Sequence, residues 1–243
     1  MNFFPQLAIS ILLVASFSAS AALFDRGNGM IYDDVLDVTW LQDVNYAKSS
    51  GYDANGFMDW NESTTWAESL SYGGYNDWRL PSVSPINGVS FQIDWSNGDP
   101  YEGSLDGGYN VGQVGSASEG FIGSELAYMF YVNFGASAAL NVDGTFNSSN
   151  GVANATNQSN VALFDNLGQL RYVWFGLEYP SIVGAWSFDF YYRPGFQDPI
   201  GQSIEGGAWA VRDGDVISSV PIPTAAWLFG SALVGLVCVK RKG

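Results

Sequence analysis

Histidine is absent from the 243-residue chain, and the one cysteine, Cys238, stands in an apolar run near the C-terminus. Without imidazole there is no Ser-His-Asp or Cys-His catalysis and no histidine ligand for a metal. A single thiol excludes an intrachain disulfide framework, a zinc knuckle and a Cys-x-x-Cys redox pair. Positive charge is scarce too. Nine Lys and Arg face 24 Asp and Glu, and three of the nine, Lys240, Arg241 and Lys242, lie in the tail. Residues 22–216 carry all 24 acids but only six bases (Arg26, Lys48, Arg79, Arg171, Arg193, Arg212), a net charge of −18. Such a surface repels nucleic acid and other polyanions, and it attracts cations such as calcium.

Hydrophobic residues make up 47% of the chain and aromatics 16%, which separates it from acidic disordered sequences. Twenty-nine glycines, among many Asn, Ser and Asp, point to a loop-rich fold around a sizeable core. Residues 1–21 read as a signal peptide. Positions 7–17 form the apolar stretch, and Ala19-Ser20-Ala21 supplies the small-x-small pattern before a cleavage site. At the other end, residues 225–239 hold only Ser231 as a polar side chain and are followed by three cations. At ~1.5 Å per residue such a helix reaches ~22 Å, short of the ~30 Å hydrocarbon core unless the bilayer thins and Lys240 and Arg241 snorkel. The cations assign the tail end to the cytoplasmic side and the body to the outside.

Val220, Pro221, Pro223, Ala225, Trp227, Leu228, Phe229, Gly230, Ser231, Leu233, Gly235 and Leu236 fall on a V-P-x-P-x-A-x-W-L-F-x-S-x-L-x-G-L pattern. The tail therefore resembles a PEP-CTERM sorting signal, with Ile222 in place of the usual acid between the prolines. The resemblance implies processing by an exosortase in a Gram-negative bacterium that makes exopolysaccharide. It also implies a membrane-anchored precursor that is released to the cell surface or matrix.

Between the ends, positions 29–40 read as a hairpin: Met30 and Tyr32 begin one strand, Asp33-Asp34 turn, and Leu36, Val38 and Trp40 line the second. The spacing predicts a helix over 60–71, capped by Asn61 or Ser63, with Trp66, Ala67 and Leu70 on one face. A second helix is expected over 120–134. Strands are expected over 172–177, 185–192 and 208–212, the middle one half-buried because Trp186, Phe188, Phe190 and Tyr192 alternate with Ser187, Asp189, Tyr191 and Arg193. Residues 84–118 and 135–160 are Gly/Asn/Ser-rich and read as two long insertions, the second a mobile surface loop. The pattern is that of one α+β domain over 22–219.

Trp78-Arg79-Leu80-Pro81 after Gly74-Tyr75, and the closing Trp209-Ala210-Val211-Arg212, are the most specific words of the body. With VTWLQDVNYA, SELAYMFYVNFG and YVWFGLEY they resemble the domain family first named from the C-terminal part of the Legionella collagen-like adhesin. That resemblance implies a C-type-lectin-like fold. It also implies a glycan-binding or adhesive role, in that adhesin toward sulfated glycosaminoglycans. A body of −18 argues instead for neutral or cation-bridged polysaccharide and against heparin-like ligands.

Chemistry has few other carriers. Arg79 and Arg212 are expected to pair with partly buried acids such as Asp77 or Asp213 and tie loops to the sheet. Trp40, Trp60, Trp66, Trp78, Trp174, Trp186 and Trp209 are assigned to the core. Trp95 and Tyr101, beside Asp94 and Asp99 in the first insertion, are the candidate ligand-binding aromatics. Calcium is the cofactor to test, with Asp94, Asn97, Asp99 and Glu102 as one oxygen cluster and Asp33, Asp34 and Asp37 as another. No catalytic residue is assigned. A hydrolase using paired carboxylates is the alternative to a binding module.

Overall fold

In a computed structural model, residues 22–216 are described. Residues 1–21, read as a signal peptide, and 220–243, read as a sorting signal, lie outside them. The described chain is α+β: two antiparallel-dominated sheets carry the core, and the helices are short. Among the described residues no helix is long and apolar enough to cross a membrane.

The first sheet runs β1 (Leu23–Asp25), β2 (Met30–Asp33), β3 (Val38–Leu41) and β9 (Val211–Asp213). The β2–β3 hairpin forms with Met30 opposite Leu41 and Asp33 opposite Val38. Leu36 lies in its turn rather than on the strand, because Asp33 accepts the N–H groups of Val35 and Leu36 and curls the chain there. Strand β1, which the sequence did not announce, adds to the outer edge of β2. Arg26 just beyond it makes a two-point ion pair with Asp215, at 2.8 and 2.7 Å.

The second sheet orders β4 (Phe57–Met58), β8 (Gly206–Gly207), β5 (Tyr172–Tyr179), β6 (Gly184–Asp189) and β7 (Phe196–Gly201). Strand β6 corrects the half-buried expectation: every residue from Gly184 to Asp189 is buried, Ser187 and Asp189 included. It is a central strand covered on both faces, with β5 and β7 on either side. The single strand expected over 208–212 is split. Residues 206–207 join the second sheet, 211–213 join the first, and Trp209 between them is fully buried. Its indole N–H donates to the Leu41 carbonyl at 2.8 Å, and its ring meets Trp40 at 4.7 Å and Phe164 at 5.1 Å. Gly206 must be glycine, since a Cβ there would stand 2.7 Å from the Trp174 indole nitrogen.

The helices are α1 (Tyr46–Ser49), α2 (Trp60–Ser69), α3 (Glu125–Tyr128) and α4 (Gln158–Val161). Helix α2 is capped not by Asn61 or Ser63 but by Asp59, two positions before the first of them, whose carboxylate accepts the Glu62 N–H at 2.9 Å. Leu70 already leaves it in extended conformation. The helix expected over 120–134 begins only after Ser124 and continues as a π-turn over Met129–Asn133. The segment before it pairs instead with 83–84, where the Ser84 N–H donates to the Gly123 carbonyl at 2.7 Å.

The two insertions are not loose. Residues 84–118 fold onto the edge of β7, where Gly108 and Gln197 exchange backbone hydrogen bonds. Buried Asp106 gathers the N–H groups of Ile86 and Gln92, both at 2.7 Å. Residues 135–160, expected as a mobile loop, are closed by backbone bonds from Thr156 to Gly135, Gly151 to Ser137 and Asn147 to Ala139, and they bury Ala136, Ala138 and Ala155.

Candidate functional site

The sequence candidates separate clearly. All seven tryptophans assigned to the core are buried, none more than 9% exposed. Trp95 is 56% exposed, but its indole N–H is bonded to the Gly107 carbonyl and its edge rests on Phe196. Tyr101 is half-buried, near Tyr109. The oxygens nearby are occupied by turns. Asp94 accepts from Ser96 and Asn97, and the Ser96 hydroxyl and N–H hold its carboxyl below the usual range. Asp99 accepts the Tyr101 N–H, and the Glu102 side chain is exposed. Asp33, Asp34 and Asp37 turn to different partners: Asn133, the Ala22 N–H and the Tyr32 hydroxyl. Burial raises the Asp33 carboxyl despite those bonds. Among the described residues no group of three or more His, Cys, Asp or Glu is arranged to hold a metal ion.

Arg79 and Arg212 are ion-paired. Arg212 grips Asp77 through two bonds of 2.8 Å and lies over the Tyr75 ring, and that contact holds the Asp77 carboxyl below its ordinary value. Arg79 takes Asp213 but also Glu125, in a fork of 2.9 and 2.8 Å. Glu125 is the partner that sequence spacing did not suggest. Leu80 and Pro81 sit between: the Leu80 carbonyl accepts from Arg79 and the Pro81 carbonyl from the Gly176 N–H. Backbone bonds between Arg79 and Val211 make the two specific words of the body neighbours in space.

The open chemistry lies elsewhere, at a turn after β6. The carboxylate of Asp189, 1% exposed, accepts the N–H groups of Tyr191, Tyr192 and Arg193 at 2.8–2.9 Å. That collar turns the chain outward and leaves Tyr191 63% and Tyr192 53% exposed. Below Tyr191 are two adjoining clefts of ≈ 330 and ≈ 420 Å³, which share Gly168, Leu170 and Tyr191 in their walls. The larger has an apolar lining that includes Val152, Val161 and Phe190. The smaller is lined by Lys48, Asn55, Phe57, Gln169 and Arg171. Neither contains Trp95, Tyr101, Asp94 or Asp99.

A polar network braces the smaller cleft. The Gln169 carbonyl oxygen accepts from Asn45 at 3.3 Å and from the Lys48 ammonium at 3.4 Å, while its amide donates to Asn166. Asn166 adopts a left-handed conformation and donates to Asp43 at 2.8 Å. Opposite, Asp53 gathers the N–H groups of Asn55 and Gly56. Gly56 has φ +78°, and a Cβ there would collide with the Asn45 side chain. The Arg171 guanidinium lies 5.3 Å from the Phe57 ring centre and 5.5 Å from that of Tyr192.

The signals for this site were present but weak. Asp189 followed by Phe-Tyr-Tyr-Arg-Pro-Gly has turn chemistry, yet the alternation of Phe190 and Tyr192 reads as strand. Lys48 and Arg171 were visible only as two of six bases. No family model, no curated protein and no solved structure matches the chain.

Proposed function

We propose that the protein is an exported, non-catalytic glycan-binding or adhesive module of the cell surface or extracellular matrix, and that its ligand lies in the twin cleft beneath Tyr191. The observation that carries this reading is the lining itself. An exposed tyrosine ring stands over an apolar floor, and the amide side chains of Asn55, Gln169, Asn150 and Gln158 surround it. Sugar rings stack their C–H faces on aromatic rings and exchange hydrogen bonds with amides. The reading extends the resemblance to the adhesin-type, C-type-lectin-like domain. Export, an exosortase as processing partner and release from a membrane-anchored precursor follow from the two end segments. The polysaccharide expected on charge grounds is neutral or bridged by calcium.

The test is a glycan array probed with the full-length protein in detergent, with and without calcium, alongside its Tyr191→Ala variant. Loss of a stacking ring at the centre of the cleft lowers affinity about tenfold or more. Equal binding by the variant refutes the site, and turnover of a bound glycan refutes the non-catalytic reading. Mass spectrometry of the mature protein tests the tail: a C-terminus near Pro221 supports sorting, and an intact Lys-Arg-Lys-Gly end refutes it.

A further inference from the structure

Of the six cations among the described residues, four are spent. Arg26, Arg79, Arg193 and Arg212 each contact at least one carboxylate within 4 Å. Lys48 and Arg171 are the two that form no salt bridge with a described residue, and both line the same ≈ 330 Å³ cleft. In a body with four acids for every base, chance leaves few cations unpaired and would rarely place both such cations in one cavity. The side chains that contact them are neutral: the Gln169 amide on Lys48, and the aromatic rings of Phe57 and Tyr192 near Arg171. These contacts orient the two charges without neutralising them.

We infer that Lys48 and Arg171 form a seat for a single carboxylate on an otherwise largely neutral saccharide, such as one hexuronic acid residue among neutral sugars. The inference rests on the glycan-binding reading of the cleft and names the substituent recognised there. A guanidinium fork presents two parallel N–H groups to the two oxygens of a carboxylate, and the ammonium adds a third donor. The adjoining apolar cleft and Tyr191 receive the neutral neighbour. The body's net −18 sets the charge density of the ligand. One carboxylate meets two local cations at contact distance, whereas a densely sulfated chain must also run over an acidic surface that repels it.

The experiment compares three defined probes against the full-length protein in detergent: a uronate-containing disaccharide, its counterpart with the carboxylate reduced to an alcohol, and a heparin-derived fragment of similar length. Affinities are read by titration calorimetry, and contacts by changes in tyrosine fluorescence. The uronate probe is expected to bind about tenfold more tightly than the reduced probe. Lys48→Gln and Arg171→Gln each shrink the uronate-to-reduced affinity ratio toward one, and Arg171→Lys restores part of it. Thermal melts verify that the variants fold. Equal affinity for uronate and reduced probes overturns the carboxylate seat but leaves the cleft a neutral-glycan site. Binding of neither probe overturns both readings. Heparin binding as tight as that of the uronate probe overturns the sparse-charge assignment.

Discussion

The two ends of the charge network work in opposite ways. Around the β9 edge, Arg79 and Arg212 are embraced by Glu125, Asp213 and Asp77, and join the Trp-Arg-Leu-Pro segment to the closing strand. Lys48 and Arg171, by contrast, stand at a cleft with amides and rings as their neighbours. The first pair of cations is built into the fold. The second is left over from it. A chain so poor in bases therefore separates charge that holds structure from charge that remains available, and substitutions should separate them too.

Arg79→Met should cost the most, about 3 kcal/mol in urea denaturation, because it strands Glu125, whose side chain is only 9% exposed. A loss under ~1 kcal/mol would mean that the fork is not a structural bolt. Next comes pH. Burial raises the Asp198 carboxyl to about 6, against the attraction of Arg193. A folded value above the unfolded one means that the native state holds the proton more tightly. Stability from this group is then full below about pH 4 and is lost as pH rises toward 6. Asp198→Asn should flatten that slope by roughly 1–2 kcal/mol, and an unchanged pH profile would remove Asp198 as its source. Arg212→Ala should cost about 1 kcal/mol, since Asp77 is half-exposed and water replaces its partner. Lys48→Gln and Arg171→Gln should stay within about 0.5 kcal/mol of the parent. If either proved as damaging as Arg79→Met, the contrast between built-in and available charge would collapse.

The core was legible where periodicity and burial agree. The hairpin, α2 and the buried tryptophans follow from apolar spacing that survives folding. What escaped is set by partners distant in sequence. Strand β7, with Pro199 in it, looks like loop until Trp186 and Phe188 of β6 supply its register. The 208–212 segment divides between two sheets because Trp209 is anchored to Leu41, 168 positions away. The insertions looked unstructured because their order comes from single buried groups, Asp106 and Asn110, rather than from repeats. The α+β class was readable from pattern. The cleft was not, because an unpaired cation is defined by which acids lie elsewhere.

The clasp between Arg26 and Asp215 has a mechanical consequence. It joins positions 189 residues apart, just inside the two limits of the described chain. The backbone thus enters and leaves the fold side by side, at the first sheet, whereas the turn that carries Tyr191 follows β6 of the second. Tension pulling residues 22 and 216 apart meets this clasp and the outer strand β1 before it reaches the buried strand β6. A domain tethered by its ends can then yield at the rim, like a buckle, while the cleft beneath Tyr191 keeps its shape.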